Sequence, residues 1–450
     1  MLNRKIGKFI EEHLSSGSDK IMIIEGARQI GKSYIIREVG RRLYKNFIEI
    51  NFVKDNEGDS IFKDIHTTSD FYLILSSYAG KNLGVRSDTL IFIDEIQEYP
   101  QFLTMLKFLR EEKRFTYIAS GSMLGLTLKS SISVPVGSVI RKEMFQLDFE
   151  EFLMANGWGD EAIAAVRDCY QKGESLSVAL HENLLNHFKR YLLVGGMPDA
   201  VNEYLATHNI IKVREIQDAI MTLYKDDASK YEHDNLNQLK IRRIYEMIPS
   251  QMENKKKRIV AKDIQGKKGE RFDNYVEEFE YLISSGISLG VNAVTNPRYP
   301  LSESVRKNLV KLYLNDVGML TSILYGANLQ PILRDDRSIN LGAVYESVVA
   351  QELRAHGHKL YYYDNRQRGE VDFLVDSHEY VSVLPIEVKS GRDYTIHSAL
   401  DRLIAEPEYH IKKGIVLSND REVRIEDDVL YMPVYYAMFI GTIPPSDIYF

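Results

Sequence analysis

A single cysteine, Cys169, stands among 450 residues, so no intrachain disulfide can form, and so few thiols fit a reducing compartment. Proline is scarce, at 12 residues, and no proline-rich stretch marks a domain boundary. No uncharged apolar run reaches the roughly 18 residues that a membrane-spanning helix needs. The opening residues, MLNRKIGKFI, lack the apolar core of a secretory signal. These absences predict a soluble, cytoplasmic protein with no membrane partner. An excess of positive charge is also missing. The net charge is −7, so the chain as a whole is no coat for nucleic acid, although a local basic patch can still bind phosphates.

What is present is a globular balance, 44% hydrophobic and 27% charged, over a length that suggests about three or four domains. Residues 20–25 (KIMIIE) read as a short buried strand, followed by GARQIGKS and then by a helical pattern, YIIREVGRRLY. Residues 48–52 (IEINF), 89–94 (TLIFID) and 115–120 (FTYIAS) read as further strands with helical stretches between them. Strands alternating with helices imply a parallel α/β sheet. From about 148 to 231 the pattern is helical, as in a lid. Three short helical segments and a hairpin-like VNAVTNPRYP follow, the order of a winged helix. Beyond about 306 the pattern is mixed again, with a helix near 341–356 ahead of strands KLYYYDN, GEVDFLVD and LPIEVKS.

Gly26-Ala27-Arg28-Gln29-Ile30-Gly31-Lys32-Ser33 matches G-x-x-x-x-G-K-[ST], a phosphate-binding Walker A loop. Its glycines let main-chain N–H groups wrap a triphosphate, and the helix that starts here adds its positive end. Lys32 is expected to reach the β- and γ-phosphates, and the Ser33 hydroxyl to ligate Mg²⁺. The strand LIFID ends in Asp94-Glu95. Asp94 is expected to hold the Mg²⁺ of bound ATP, and Glu95 to polarise the attacking water. Ser120 and Ser122, at the end of FTYIAS, either sense the γ-phosphate or only close a turn. Arg28 faces phosphate, a neighbouring domain or solvent.

These motifs resemble an AAA-type P-loop ATPase family of archaea and bacteria that carries a C-terminal domain of unknown function. GARQIGKS is similar to that family's G-P-R-Q-x-G-K-T, LIFIDEIQ to its run ending in D-E-I-Q, and SGS to its T-G-S. FQLDFEEFL, LLVGGMPDAV and KLYLNDVGML resemble its later motifs, in the same order. The resemblance implies a P-loop NTPase core (1–147), a helical lid (148–234), a winged helix (235–304) and a smaller α/β domain (305–450), with ATP and Mg²⁺ as cofactors. Two departures stand out. Ala27 and Ser33 replace the family's proline and threonine. Gly137 is followed by Ser138 where the family has Gly-Arg, and Arg141 is the nearest substitute.

Two features bear on what the ATPase would act upon. Lys255, Lys256, Lys257 and Arg258, with Lys262, Lys267, Lys268 and Arg271, form the one concentrated basic stretch. In a winged helix these residues could neutralise DNA phosphates, with a recognition helix near 272–285. Glu277, Glu278 and Glu280 on that helix would repel DNA, which favours a protein partner instead. In the C-terminal third, Glu346, Asp372, Glu387 and Lys389 resemble a PD-(D/E)XK nuclease core. Asp372 and Glu387 could share one face of a sheet, hold a second Mg²⁺ with Glu346, and leave Lys389 to orient water. His356, His358 and His397 are expected at the surface. The two leading readings are an ATPase acting on DNA through its C-terminal half, and an ATP-binding scaffold with a degenerate nuclease fold that contacts protein.

Overall fold

The structure is a computed structural model describing residues 2–122, 137–231, 235–254, 257–266, 270–334, 341–378, 381–391 and 394–441. The chain divides into two compact units. Residues 3–146, joined by 284–286, form the first, and residues 147–283 with 287 onward form the second.

The first unit is built on a five-stranded sheet in the order β2-β3-β4-β1-β5. Its strands are β1 (Ile21–Glu25), β2 (Asn46–Asn51), β3 (Thr89–Asp94), β4 (Thr116–Gly121) and β5 (Val139–Glu143). Every neighbouring pair is parallel. Parallel strands need crossovers, and helices such as Lys32–Leu43 and Gln101–Glu112 supply them and cover the sheet. That cover makes the central strands continuous apolar runs. All six residues of β3 are buried, with Ile91 and Ile93 in one core with Ile23, Phe102 and Leu106.

β5 was not legible as a strand. Its sequence, VIRKE, carries no apolar run, because it lies at the sheet edge and no residue of it is fully buried. The order of strands matters for function. β4 lies between β1 and β3, so the carboxyl ends of these three strands stand side by side, where ligands bind in open parallel sheets.

The second unit begins with helices. Asp148 caps the helix Phe149–Ala155 in a reciprocal capping box with Glu151, and helices Asp160–Lys172, Val178–Val194, Pro198–Thr207 and Ile210–Tyr231 follow. Then come helices Asn235–Met252, Ala261–Gln265 and Val276–Ser284, and a hairpin of β6 (Ser288–Val294) and β7 (Val305–Leu314). This hairpin is not a free wing. β6 also pairs in parallel with β8 (Tyr361–Asn365), so the hairpin forms one edge of an eight-stranded mixed sheet, β12-β13-β11-β10-β9-β8-β6-β7. The division expected at 304/305 therefore falls between two hydrogen-bonded strands.

The rest of that sheet consists of β9 (Gly369–Ser377), β10 (Ser382–Val388), β11 (Gly414–Ser418), β12 (Arg424–Glu426) and β13 (Val429–Pro433). The helix Gly342–Ala355 packs on it, and every residue from Ala343 to Leu353 is buried. The protein is thus mixed α/β, a parallel-sheet domain followed by a further α/β domain. Among the described residues no helix is long and apolar enough to cross a membrane.

Candidate functional site

The loop between β1 and the helix Lys32–Leu43 is shaped by two glycines. Gly26 has φ 146° and Gly31 has φ 90°, both in the region that side chains avoid. A methyl group on Gly26 would stand 2.3 Å from the Met144 carbonyl oxygen and 2.8 Å from Ile30 Cδ1. Backbone cannot withdraw cheaply, so Gly26→Ala is expected to strain the loop by roughly 1–3 kcal/mol. Nucleotide affinity measured by calorimetry should fall about tenfold or more. Unchanged affinity would show that the loop does not cradle phosphate. Arg4, itself buried, clamps the loop from outside, donating to the Ile30 carbonyl at 3.0 Å and to the Phe145 carbonyl at 2.5 Å.

Lys32 is 5% exposed and donates to the carbonyls of Gly26 at 3.0 Å and Ala27 at 2.7 Å. Burial lowers the pKa of its ammonium, while Glu95 and Asp94 act to raise it. The loop thus holds a buried cation that an anion could neutralise. Ser33, the next residue, donates its hydroxyl to both carboxylate oxygens of Asp94, each at 2.9 Å. Asp94 closes β3, and Ser120 at the end of β4 also donates to it. Asn51, the last residue of β2, donates to Oδ2 at 2.8 Å. Burial pushes the Asp94 pKa up, and the hydrogen bonds from Ser120, Ser33 and Asn51 oppose that. A hydroxyl and a carboxylate in contact at the mouth of a phosphate loop are the hard oxygen donors that Mg²⁺ takes from a protein. The residues fit that ion.

Glu95 follows in a left-handed conformation, φ 55° and ψ 49°. Its Oε2 accepts from Gln97 Nε2 at 2.6 Å, Ser122 Oγ at 2.9 Å and Ser122 N at 3.3 Å. Burial would raise its pKa, but the charge of Lys32 and the donors Gln97 and Ser122 outweigh that and lower it. Glu95 is therefore held ionised. Arg28 Nε reaches Ser122 Oγ at 3.4 Å, so of the three settings open to it, Arg28 lies against the end of β4. The structure brings together Arg28, Lys32, Ser33, Asp94, Glu95, Ser120 and Ser122. Arg141 pairs instead with Glu25 at 2.6 Å, one residue ahead of the loop. Asn51 is not singled out by the sequence, and Gln97 enters only as the last residue of LIFIDEIQ, without a role. Each had a faint signal: Asn51 ends a strand, and Gln97 lies two residues after Glu95.

In the second unit, Asp372 on β9 and Glu387 on β10 occupy cross-strand positions next to the Phe373–Ile386 pair, on adjoining strands. Each carboxylate has its own partner. Asp372 Oδ2 accepts from Val388 N at 2.8 Å, and Lys389 Nζ donates to Glu387 Oε1 at 2.8 Å. Glu346, on the buried helix, accepts from Lys257, and from the Tyr313 hydroxyl at 3.4 Å. Among the described residues no three acidic, histidine or cysteine side chains are grouped so as to hold a metal. The three carboxylates expected to hold a second Mg²⁺ still act on one another: burial, then the charge of Asp372, pushes the Glu387 pKa up to about 8, and Glu387 Oε2 is buried without a hydrogen-bond partner.

The basic run fares similarly. Lys255, Lys256, Lys267 and Lys268 lie outside the described residues. Lys257 is bound to Glu346, and Arg258 pairs with Asp364 at 2.8 Å, while Lys262 and Arg271 are exposed. On the helix Val276–Ser284, Glu278 is buried against Lys240 at 3.0 Å, whereas Glu277 and Glu280 face solvent. His358 and His397, expected at the surface, are buried, near the Ile440 carbonyl oxygen at 3.2 Å and the Tyr431 hydroxyl at 2.5 Å respectively.

Residues 18–153 match the family model of the AAA domain. Residues 185–330 and 341–436 match two domains of unknown function, DUF8612 and DUF4143. No curated protein matches the chain. Among solved structures, the Walker-type ATPase PABY2304 of Pyrococcus abyssi is 13% identical with a TM-score of 0.42, over 74% of this chain and 96% of that one. The Aeropyrum pernix ORC2 protein, in ADPNP–ADP complexes, is 13% identical with a TM-score of 0.36, over 74% and 93%. The Thermotoga maritima RuvB Holliday junction branch migration motor is 13% identical with a TM-score of 0.29, over 67% and 91%. Likeness this slight says nothing of function. Residues 18–153, which match the AAA domain, are also those that carry the assembled loop.

Proposed function

We propose that this chain binds ATP as its magnesium complex at residues 26–33 and hydrolyses it. One observation carries the reading. Ser33, Asn51 and Ser120, from three separate elements, all donate to the carboxylate of Asp94, at the mouth of the loop that holds Lys32.

In this reading the main-chain N–H groups of residues 27–33 hold the phosphates, and Lys32 neutralises their outer end. Ser33 and Asp94 hold magnesium, which when bound supplies positive charge against the phosphate oxygens. Glu95 takes a proton from the attacking water as the water oxygen bonds to the γ-phosphorus. The bond from that phosphorus to the β-γ bridging oxygen breaks, and ADP leaves. Glu95 passes the proton to the released phosphate. Ser122, bound to Glu95 in the structure, lies where it could report whether the γ-phosphate is present.

Titration with Mg·ATP tests the binding step. The protein should bind, and Lys32→Ala should weaken binding about 100-fold, since a buried charge-assisted contact to phosphate is lost. Equal binding by both proteins, or none by either, would sink the reading.

For the output, two pairs favour a protein partner over DNA. Lys257 and Arg258, the described core of the basic run, are committed to Glu346 and Asp364. The order of helix, β8 to β10, helix and β11 supports a nuclease-like fold in the C-terminal part. Lys389 holds one oxygen of Glu387 and Lys257 holds Glu346, and on these pairings that part reads as a scaffold switched by nucleotide. Strong duplex binding with a steep loss of affinity in salt would restore the DNA reading.

A further inference from the structure

The carboxylate of Glu95 is gripped by one oxygen only. Gln97 Nε2, Ser122 Oγ and Ser122 N all donate to Oε2, and none of them to Oε1. The grip needs an unusual backbone. Glu95 adopts the left-handed conformation that non-glycine residues reach only at a cost, and this turns its side chain toward the end of β4. Gln97 belongs to the one-turn segment Ile96–Glu98 and is 5% exposed. Its Nε2 also lies 3.3 Å from Ser122 Oγ, so the amide bridges the two groups. Facing a carboxylate, the amide must present its nitrogen, because its oxygen would be repelled. The remaining Gln97 Oε1 is buried and has no hydrogen-bond partner. Buried polar atoms are rarely left so, and an arrangement that sacrifices one bond to keep another indicates that the kept bond matters.

We propose that Gln97 is the positioning residue for Glu95: by holding Oε2 it sets the rotation of the carboxylate and leaves Oε1 as the oxygen that takes the proton from water. This rests on the ATPase reading above. In this role Gln97 acts through Glu95, to which its Nε2 donates. A loose carboxylate would still carry its charge but would meet the water at the wrong angle. Displacements of about 1 Å at such a group can cost on the order of 100-fold in rate.

The test is steady-state ATP hydrolysis and equilibrium ATP binding for the full chain and four variants. Gln97→Met keeps volume and removes the donor. Gln97→Glu keeps shape and opposes Glu95 with like charge. Glu95→Gln and the double variant Glu95→Gln/Gln97→Met complete the set. Gln97→Met should lower kcat by about 10- to 100-fold with KM and nucleotide affinity within about threefold. Gln97→Glu should lose more than Gln97→Met, which a packing role would not produce, since it is the closer match in shape. Adding Gln97→Met to Glu95→Gln should cost little further, because the two act as one unit. Glu95→Gln inactive with Gln97→Met at full kcat overturns the positioning role and leaves the ATPase reading standing. Glu95→Gln as active as the parent overturns both. Loss of ATP affinity in parallel with kcat, equal in Gln97→Met and Gln97→Glu, also overturns it, because the residue would then merely support the fold.

Discussion

Glutamine in place of Glu95 is expected to lower ATP turnover by about 10²- to 10⁴-fold, the usual contribution of a positioned base, while nucleotide affinity stays within about threefold. The substitution keeps the shape of the side chain and removes its charge and basicity. Lys32 keeps its bonds to the Gly26 and Ala27 carbonyls, and Ser33 keeps Asp94, so the groups proposed to hold phosphate and magnesium are untouched. What disappears is an acceptor that the structure holds ionised. Lys32, Gln97 and Ser122 lower the pKa of Glu95 against the effect of burial, so the residue is a carboxylate at neutral pH. An amide at the same place cannot take a proton from water. Phosphate release under single-turnover conditions checks the rate, and calorimetry with Mg·ATP checks the affinity. A variant that turns over at more than about a tenth of the parent rate would remove Glu95 from the chemistry.

Methionine in place of Lys257 should destabilise the second unit by about 3 kcal/mol near pH 8, the lower end of the cost of breaking a buried pair. Glu346 sits on a helix whose residues around it are all buried, and it is 3% exposed. Burial, then the nearby charge of Asp372, push its pKa up to about 7, while Lys257 and Lys311 pull it down. Without Lys257 the carboxylate must protonate or stay charged in a buried setting beside Asp372, with Lys311 the nearest cation left. The pH dependence has a definite sign. A carboxyl whose folded pKa lies above its unfolded value binds more protons folded than unfolded, so stability falls as pH rises through that interval. Removing Lys257 raises the folded pKa further. The deficit should therefore be small at pH 5, below most of the interval, and grow toward pH 8 and above. The only tryptophan, Trp158, lies in the second unit beside His187, so its fluorescence in urea follows that unit alone. The measurement is made in EDTA, so that stray cations do not replace the lysine. A midpoint unchanged at pH 8 would show that Glu346 finds another cation.

The loop, its strand and its helix were legible in the sequence because phosphate binding needs contiguous backbone. GARQIGKS places the glycines, the lysine and the serine within eight residues, and the apolar run before them can only be a covered strand. Asp94 and Glu95 were legible for a related reason, since an acidic pair ending an apolar run stands at the carboxyl edge of a sheet. The expectation for Ser120 and Ser122 depended on β4 lying between β1 and β3, and that is the observed order. β5 was missed because an edge strand need not be apolar. The roles of Asn51 and Gln97 were not legible, Gln97 even though it ends the LIFIDEIQ motif, because nothing near them in the chain says which carboxylate they will face.

The C-terminal half shows where such reading stops. The helix and three strands of residues 342–388 could be read from their patterns, and so could the placing of Asp372 and Glu387 on neighbouring strands. That the hairpin β6–β7 would join their sheet rather than stand as a wing could not, because strand partners are chosen by packing over many residues. Lys257 and Glu346 lie 89 residues apart, and as a string of letters Lys257 was one of four consecutive basic residues suited to solvent or DNA. The sequence alone determined the shape of the loop proposed to wrap a triphosphate, because that depends on local backbone conformation and on side chains within one turn. Only the tertiary structure decided which charges neutralise one another. Such pairing depends on distances set by the whole fold, and in a buried setting it outweighs the surface roles that the same residues would play in water.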